Sequence, residues 1–178
     1  MELEQDYFSL LDLPKSYSVD KKKLKSNARM LLRQYHPDRF SASTTEEQRL
    51  AEQLAAHINF AVRVLEDPIQ RAQHLLSLAD IDANFDNRTI QDNAFLIQQM
   101  ELRESFDEVM ESDGQGLTPL VEEVETELSV VEGVFEKADF NNADAVLAQQ
   151  EVLLAALAKL HFFIKLNADL KTAQKEPI

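Results

Sequence analysis

The sequence contains no cysteine and no tryptophan, and it has only 3 glycines among its 178 residues. Without cysteine, disulfide bonds, thiolate zinc sites, nucleophilic thiols and direct thiolate ligation of an iron–sulfur cluster are all excluded. The glycines, Gly114, Gly116 and Gly133, form neither a P-loop nor the G-x-G-x-x-G turn of dinucleotide-binding proteins. The chain therefore lacks the sequence features of thiol chemistry and of two common phosphate-binding loops, and a reducing compartment suits it.

Positive charge and long apolar runs are also scarce. The chain carries 18 basic and 32 acidic side chains, a formal net charge of −14. This charge argues against non-specific binding to nucleic acid, because a phosphate backbone must be neutralised by Lys and Arg. The apolar run from Val152 to Ala158 is too short to span a membrane, and the acidic start, Met1 to Glu4, is unlike a signal or transit peptide. We therefore expect a soluble, cytoplasmic protein.

The charge is distributed unevenly along the chain. Residues 1–75 hold 11 basic and 11 acidic side chains, whereas residues 76–178 hold 7 basic and 21 acidic ones. Within the neutral half, residues 15–33 carry seven basic side chains against Asp20 alone. Such an asymmetry indicates two functional units.

Apolar side chains recur at helical spacing throughout, without convincing period-two alternation. In the first half the pattern predicts a short helix from Leu3 to Leu13. A second helix begins near Asp20 and ends before Pro37, which disfavours α geometry at the preceding residue. A third begins at a Thr44 or Thr45 cap and ends at Asp67-Pro68, and a short apolar helix follows over residues 69–78.

The second half predicts three further helices. Thr89 is a plausible cap for a helix that reaches Met110, Pro119 lies near the first turn of the next, and Asn141-Asn142 turns the chain into the last. The polar stretch between the halves reads as a linker. We therefore predict an all-α protein with an N-terminal domain over residues 1–79, a linker over 80–88 and a three-helix bundle over 89–178.

The first candidate functional element is Tyr35-His36-Pro37-Asp38-Arg39, which follows a helix with one apolar and one positive face. The positive side chains are Lys22, Lys25, Arg29 and Arg33. Alone, the three residues His36-Pro37-Asp38 favour an ordinary loop after a proline-terminated helix. A charged helix face alone is usually only solvated. The flanking pattern is more specific: Tyr7-Phe8-x-x-Leu11-x-Leu13-Pro14 before the basic helix, and Ile58-Asn59-x-Ala61-x-x-x-Leu65-x-Asp67-Pro68-x-x-Arg71-Ala72 after the loop.

In this order the elements resemble the J domain of DnaJ-type co-chaperones, over about residues 5–75. The resemblance implies that the loop and the positive helix face engage a DnaK-type chaperone and stimulate its ATP hydrolysis. The implied chaperone-binding residues are His36, Pro37, Asp38, Arg39, Lys22, Lys25, Arg29 and Arg33. We expect Pro37 to hold the loop away from helical geometry. Two positions depart from the family: Arg39 replaces the commoner Lys, and His74 replaces a Tyr, which affects local packing.

A second candidate surface lies on the predicted helix that contains Asn93 to Glu108. A helical wheel places Phe95, Leu102, Phe106 and Val109 on one core stripe. It places Leu96, Ile97 and Met100 on the far side, with Glu104 among them and Glu101 and Glu108 at the edge. Phe162 and Leu166 likewise lie opposite the apolar stripe of the last helix. Large apolar residues rimmed by carboxylates indicate a partner-binding patch, although packing between neighbouring helices of a bundle is the alternative.

The second half carries its own family resemblance. The run from Asn93 to Glu104 resembles the C-terminal domain of the HscB family, the specialised J proteins of iron–sulfur cluster assembly. Two further runs match that family: Arg71-Ala72-x-x-Leu75-Leu76-Ser77-Leu78 and Lys159-Leu160-x-Phe162-x-x-Lys165-Leu166. The resemblance implies that the bundle binds the scaffold protein IscU and delivers it to the dedicated chaperone HscA. The implied scaffold-binding residues are Leu96, Ile97, Met100, Glu101, Glu104, Glu108 and Phe162. Because a Cys-rich zinc segment is absent, the chain looks like the bacterial form.

Two other functions stay open. A J protein for a different client would be expected to carry a Gly/Phe-rich linker or Cys-rich fingers, and the sequence has neither. An enzyme using His36 and Asp38 as a base–orienter pair lacks a nucleophile marked by a motif. A metal site is disfavoured because no two histidines lie three or four residues apart. We therefore expect an adaptor without catalysis, cofactor or metal of its own, whose partners are HscA and IscU.

Overall fold

The computed structural model describes residues 6–40, 43–83, 92–112 and 114–175, and all regular secondary structure in these ranges is helical. The helices are α1 (Tyr7–Leu10), α2 (Lys21–Gln34), α3 (Thr45–Glu66), α4 (Pro68–Ser77), α5 (Asn93–Glu111), α6 (Leu117–Lys137), α7 (Ala143–Ala148) and α8 (Gln150–Ala173), with a 3-10 turn at Pro37–Phe40. The chain divides into two compact units, Met1–Ile81 with Asp139–Asp144, and Asp82–Ala138 with Ala145–Ile178. The all-α fold class is confirmed. The linker 80–88 falls mostly outside the described residues, so the predicted domain limits stay a prediction.

Local hydrogen bonds determine where the helices of the first unit begin. The Asp20 carboxylate caps α2 by accepting hydrogen bonds from two backbone amides of its first turn. Thr44 and Glu47 form a reciprocal capping box at the start of α3, in which each side chain accepts a hydrogen bond from the other residue's amide. Asp67 ends α3 and caps α4, whose first residue is Pro68, where the missing N–H costs no helical hydrogen bond. The predicted starts of α2 and α3 are confirmed, whereas α4 begins at Pro68, one residue before the predicted segment 69–78.

The first helix is shorter than predicted. The apolar spacing predicts a helix from Leu3 to Leu13, but α1 ends at Leu10. Asp12 adopts a left-handed φ of 49°, and the side-chain amide of Asn27 on α2 donates a hydrogen bond of 2.8 Å to the Leu11 carbonyl. The helix can therefore stop here, because a side chain of α2 satisfies a carbonyl group at its end. Residues 3–5 lie outside the described ranges.

The core of the first unit lies between α1, α2, α3 and α4. Its fully buried side chains include Phe8, Leu11, Leu24, Ile58, Leu65, Leu75 and Leu76. The buried guanidinium of Arg71 donates a hydrogen bond of 2.6 Å to the carbonyl of Leu65 at the end of α3. The same group lies over the Tyr17 ring, 4.7 Å from its centroid. A cation at a helix C-terminus is favourable, so Arg71 stabilises the corner between α3 and α4.

The second unit is the predicted three-helix bundle, built from α5, α6 and α8. Of the 24 residues of α8, 12 are buried. On α5, by contrast, only Phe95, Leu102 and Val109 are buried among 19 residues. The helix α5 therefore packs through one narrow stripe, whereas α8 is buried on more than one face, as expected for a helix with apolar residues all round.

Two helix limits in this unit differ from the prediction. Thr89, the predicted cap, lies outside the described residues, and α5 begins at Asn93, with Asp92 as its N-cap. The last predicted helix is divided at Gln149 into α7 and α8. Pro119 lies in the first turn of α6, as predicted.

Candidate protein-binding surfaces

The positive side chains of α2 line a shallow groove on the first unit. The apolar face of this helix buries Leu24 and Ala28, which leaves the opposite face in solvent. The groove has a volume of about 810 Å³, and its lining includes Lys22, Lys25, Arg29, Met30, Arg33 and Arg39. We call this surface the basic groove. Its shape and charge suit an acidic protein surface.

One cation of the basic groove already has a partner. The ammonium group of Lys25 lies 3.3 Å from a carboxylate oxygen of Glu66 on α3. Both side chains are more than a third exposed, so the pair is screened and contributes little to stability. The groove nevertheless keeps a positive balance, because Lys22, Arg29 and Arg33 also line it.

The loop after α2 presents His36 and Asp38 to solvent, with 57% and 90% of their side chains exposed. The backbone amide of Asp38 donates a hydrogen bond of 3.2 Å to Nδ1 of His36. The guanidinium of Arg39 donates a hydrogen bond of 3.2 Å to the Arg33 carbonyl in the last turn of α2. Arg39 therefore fastens the loop to the end of the basic helix, so that the loop and the groove form one continuous surface.

The expectation that Pro37 keeps the loop away from helical geometry is wrong. Residues Pro37–Phe40 form a 3-10 turn, in which the amide of Arg39 donates a hydrogen bond of 3.0 Å to the His36 carbonyl. The fixed φ of proline is compatible with the first position of such a turn. Pro37 thus separates α2 from a new, tighter turn instead of preventing helical geometry altogether.

The outer face of α5 is apolar and exposed, as the wheel predicts. The exposed fractions of Leu96, Ile97 and Met100 are 42%, 57% and 63%. We call these three residues the apolar patch. The acidic residues Glu101, Glu104 and Glu108 are exposed on the same helix. The predicted core stripe is buried except at Phe106, which is only partly buried.

Phe162 is not on the outer face of its helix, contrary to the wheel. Only 9% of Phe162 is exposed, and its ring meets those of Phe95 and Phe163 at centroid distances of 5.7 and 5.3 Å. Leu166, predicted on the same face, is 2% exposed. Both are buried because α8 packs against two helices, so a second apolar face is covered. Phe162 therefore lies in the bundle, where it packs against the first turn of α5.

Two residues near these surfaces are not identified by the sequence pattern. Met30 is 62% exposed within the basic groove, and its only sequence signal is an apolar residue on a charged face. Arg103 on α5 places its guanidinium 5.6 Å from the Phe162 ring centroid. Arg103 and Phe162 are far apart in sequence, so no local pattern predicts this contact.

His74, which replaces the usual Tyr, packs against α1. Its ring stacks on Tyr7 at a centroid distance of 4.3 Å, and its Nε2 accepts a hydrogen bond of 3.2 Å from the Tyr7 amide. Burial lowers the pKa of His74, and the effect exceeds that of nearby Asp6, which raises it. The neutral imidazole is thus the form that this site favours.

Within the described ranges, no three His, Asp or Glu side chains are grouped in a way that could hold a metal ion. Among the described helices, none combines the length and the hydropathy that a membrane-spanning segment requires.

Comparisons with known proteins agree with this architecture. Residues 6–74 match the DnaJ domain family, and residues 91–171 match the HSCB C-terminal oligomerisation domain family. The chain is thus a two-part, all-α protein of the J-domain co-chaperone class. It resembles the solved structure of chaperone HscB from Vibrio cholerae, with a TM-score of 0.79 and 33% identity over 96% of this chain and 98% of that one. The chain belongs to the HscB family.

Other members of the family are similar as well. The structure of human co-chaperone protein HscB matches with a TM-score of 0.78 and 26% identity, over 100% of this chain and 86% of that one. Co-chaperone protein HscB of Proteus mirabilis is 42% identical over 107 residues, which is 60% of this chain and 62% of the relative. A homolog from Shewanella halifaxensis is 44% identical over 108 residues, 61% of this chain and 62% of the relative. The chain thus aligns with about 62% of the length of these curated relatives.

Proposed function

We propose that this chain is a co-chaperone that stimulates ATP hydrolysis by a DnaK-type chaperone of the HscA kind. In the same proposal it delivers to that chaperone an IscU-type scaffold protein of iron–sulfur cluster assembly. The main support is that each unit has one exposed surface of distinct chemistry. The first unit carries the basic groove with its loop, and the second carries the apolar patch with its carboxylates.

The chaperone-binding surface consists of the loop and the basic groove. Its proposed residues are His36, Pro37, Asp38, Arg39, Lys22, Lys25, Arg29 and Arg33. Positive charge on one face of a protein accelerates encounter with an acidic partner more than it deepens affinity. We therefore assign steering to the groove, and we assign the contact that triggers hydrolysis to His36 and Asp38 at the exposed loop.

The scaffold-binding surface consists of the apolar patch and its neighbours. Its proposed residues are Leu96, Ile97, Met100, Glu101, Glu104, Glu108 and Phe162. Exposed apolar side chains within a charged rim are typical of a protein–protein interface. Because Phe162 is buried, we propose that it supports α5 by packing against Phe95. Direct contact with the scaffold is assigned to the exposed residues.

In this proposal the ATP belongs to the partner chaperone. The chain itself carries out no catalysis and needs no cofactor, and it acts in the cytoplasm. His36 and Asp38 then serve as recognition groups. Nδ1 of His36 already accepts a hydrogen bond from the Asp38 amide, so this nitrogen is occupied and does not act as a base.

Steady-state ATP turnover of a purified HscA-type chaperone, measured with this chain and with or without an IscU-type scaffold, tests the proposal. We expect the chain alone to raise turnover and the scaffold to raise it further. If the chain raises turnover but the scaffold has no effect, the alternative of a J protein for a different client is favoured. If the chain does not raise turnover, the proposed co-chaperone activity is wrong.

A further inference from the structure

One carboxylate at the start of α5 is bonded to two helices at once. Oδ1 of Asp92 accepts a hydrogen bond of 2.9 Å from the Phe95 amide, and Oδ2 lies 3.1 Å from the ammonium group of Lys159 on α8. The Phe95 amide and, to a lesser extent, Lys159 lower the pKa of Asp92. The Lys159 ammonium also lies 5.2 Å from the centroid of the Phe95 ring. Lys159 therefore touches both the cap of α5 and the first buried side chain of that helix.

This end of α5 has few other attachments to the bundle. Its buried residues are Phe95, Leu102 and Val109, so Phe95 is the single fully buried side chain in the first two turns. Leu96 and Ile97 follow directly after it, and successive helical residues differ in direction by about 100°. A small rotation of α5 would therefore redirect the side chains of the apolar patch, and fraying of its first turn would redirect Leu96.

The rings beneath α5 form a continuous support. Phe95 meets Phe162 nearly edge-on, with an interplanar angle of 89°, and both rings contact Phe163. Lys159 lies at the Phe95 end of this cluster, and Arg103 lies over its Phe162 end. Cations over aromatic faces are attracted by the ring quadrupole, so each cation fastens one end of the cluster.

We propose that Lys159 is a positioning residue for the scaffold-binding surface: through the Asp92 cap and the Phe95 ring it fixes the first turn of α5, so that the apolar patch is presented in one arrangement. This inference rests on the proposed scaffold binding. Lys159 and Asp92 are about one third exposed, and ion pairs at such sites contribute little to stability. We expect the ion pair to affect the affinity for the scaffold instead, because an apolar patch that is already ordered loses less conformational entropy on binding.

Isothermal titration of a purified, cluster-free IscU-type scaffold into full-length variants tests the inference. We expect Lys159→Met to weaken binding about three- to fivefold, in keeping with the strength of a partly exposed pair, at a nearly unchanged unfolding midpoint. Lys159→Arg keeps the positive charge and should bind the scaffold with an affinity within about twofold of the wild type. Equal binding by Lys159→Met and wild type would overturn the inference.

Lys171→Met is the matched control. Lys171 lies on the same helix and forms an ion pair of 2.7 Å with Glu125 of α6, so its loss changes the net charge equally without touching α5. We expect this variant to bind the scaffold as wild type does. If Lys171→Met weakens binding as much as Lys159→Met, then long-range charge explains the effect and the positioning role is wrong.

Asp92→Asn separates the cap from the ion pair, because asparagine also caps helices well. If both residues act through one contact, Asp92→Asn should weaken scaffold binding in the wild type but should not weaken it further in Lys159→Met.

Hydrogen exchange should report loosening of the first turn of α5. The Leu96 amide donates a hydrogen bond of 3.0 Å to the Asp92 carbonyl, and we expect it to exchange faster in Lys159→Met. Additive losses of binding, or unchanged exchange, would contradict the inference. Should the wild-type chain itself not bind the scaffold, the proposed function fails, which is a different result.

Discussion

At the scale of single residues, Asp38 and His36 carry the proposed contact with the chaperone. Their side chains are 90% and 57% exposed, and substitutions at such positions usually change the free energy of unfolding by about 0.5 kcal/mol or less. We therefore expect Asp38→Asn, and separately His36→Gln, to abolish stimulation of the chaperone ATPase while the chain stays folded. Turnover measurements with each variant, alongside chemical denaturation, check this outcome.

A suitable control is Glu52→Gln, which neutralises an exposed carboxylate on α3 that is not among the proposed chaperone-binding residues. Full stimulation by the control, and none by Asp38→Asn, would show that the loop carboxylate itself matters and not the net charge. Undiminished stimulation by Asp38→Asn would reject the proposed role of the loop.

His74 makes the stability of the first unit depend on pH. Burial holds its pKa below the ordinary value of 6.5, so the folded state binds fewer protons than the unfolded state as the pH falls through that value. The stability conferred by the neutral imidazole is therefore present above pH 6.5 and is lost progressively below it. Protonation would also remove the lone pair of Nε2 that accepts the Tyr7 amide.

We expect His74→Phe to flatten this dependence, because phenylalanine retains a ring against Tyr7 but cannot be protonated. Urea unfolding midpoints at pH 7.5 and pH 5.5, compared between wild type and variant, measure the difference. The charged groups that act on His74, Asp6 and Lys15, are unchanged in the variant, as is His57, whose ring contacts that of Tyr7. An equal acid shift in both proteins would contradict the assignment to His74.

At the scale of helices, α5 has two faces whose substitutions should have opposite effects. Leu102 is 4% exposed, so Leu102→Ala should cost about 2–5 kcal/mol of unfolding free energy. Leu96→Ala and Met100→Ala should cost little stability, since both side chains are exposed, but should each weaken scaffold binding by about tenfold. Denaturation and scaffold titration on the same three variants check this division.

Phe162→Ala is expected to differ from both patch variants. Because Phe162 is buried against Phe95 and Phe163, its truncation should cost about 3–5 kcal/mol and weaken scaffold binding as a consequence of disturbed packing. If Phe162→Ala lost scaffold binding but kept its unfolding free energy, as expected for an exposed residue, its placement in the bundle would be contradicted. A strongly destabilised Leu96→Ala would likewise contradict the exposed position of the patch.

The same helices show which features the sequence can predict. The wheel succeeds on α5, where one narrow stripe packs and Leu96, Ile97 and Met100 remain outside. It fails on α8, where Phe162 and Leu166 are buried because the helix packs against both α5 and α6. The periodicity of one helix does not indicate how many helices surround it. Caps such as Asp20 and Thr44 are local and were predictable, whereas the Asn27 hydrogen bond that ends α1 joins residues distant in sequence.

At the scale of the whole molecule, the proposal requires two surfaces on one chain. The chaperone-binding residues lie in one compact unit and the apolar patch lies in the other. Joining two binding sites in one chain raises the effective concentration of the second partner, to the millimolar range for short flexible connections. Covalent connection, more than either affinity, should then make the chaperone respond to the scaffold.

A mixing experiment tests this requirement. The double variant Leu96→Ala, Met100→Ala should stimulate the chaperone as the wild type does, because its first unit is unchanged, but should show no further response to scaffold. Asp38→Asn should bind scaffold without stimulating. If the surfaces must lie on one chain, an equimolar mixture of the two variants should reproduce only the scaffold-independent turnover of the double variant. Recovery of the full scaffold response in the mixture, at the concentration where wild type gives it, would mean that binding and stimulation act independently.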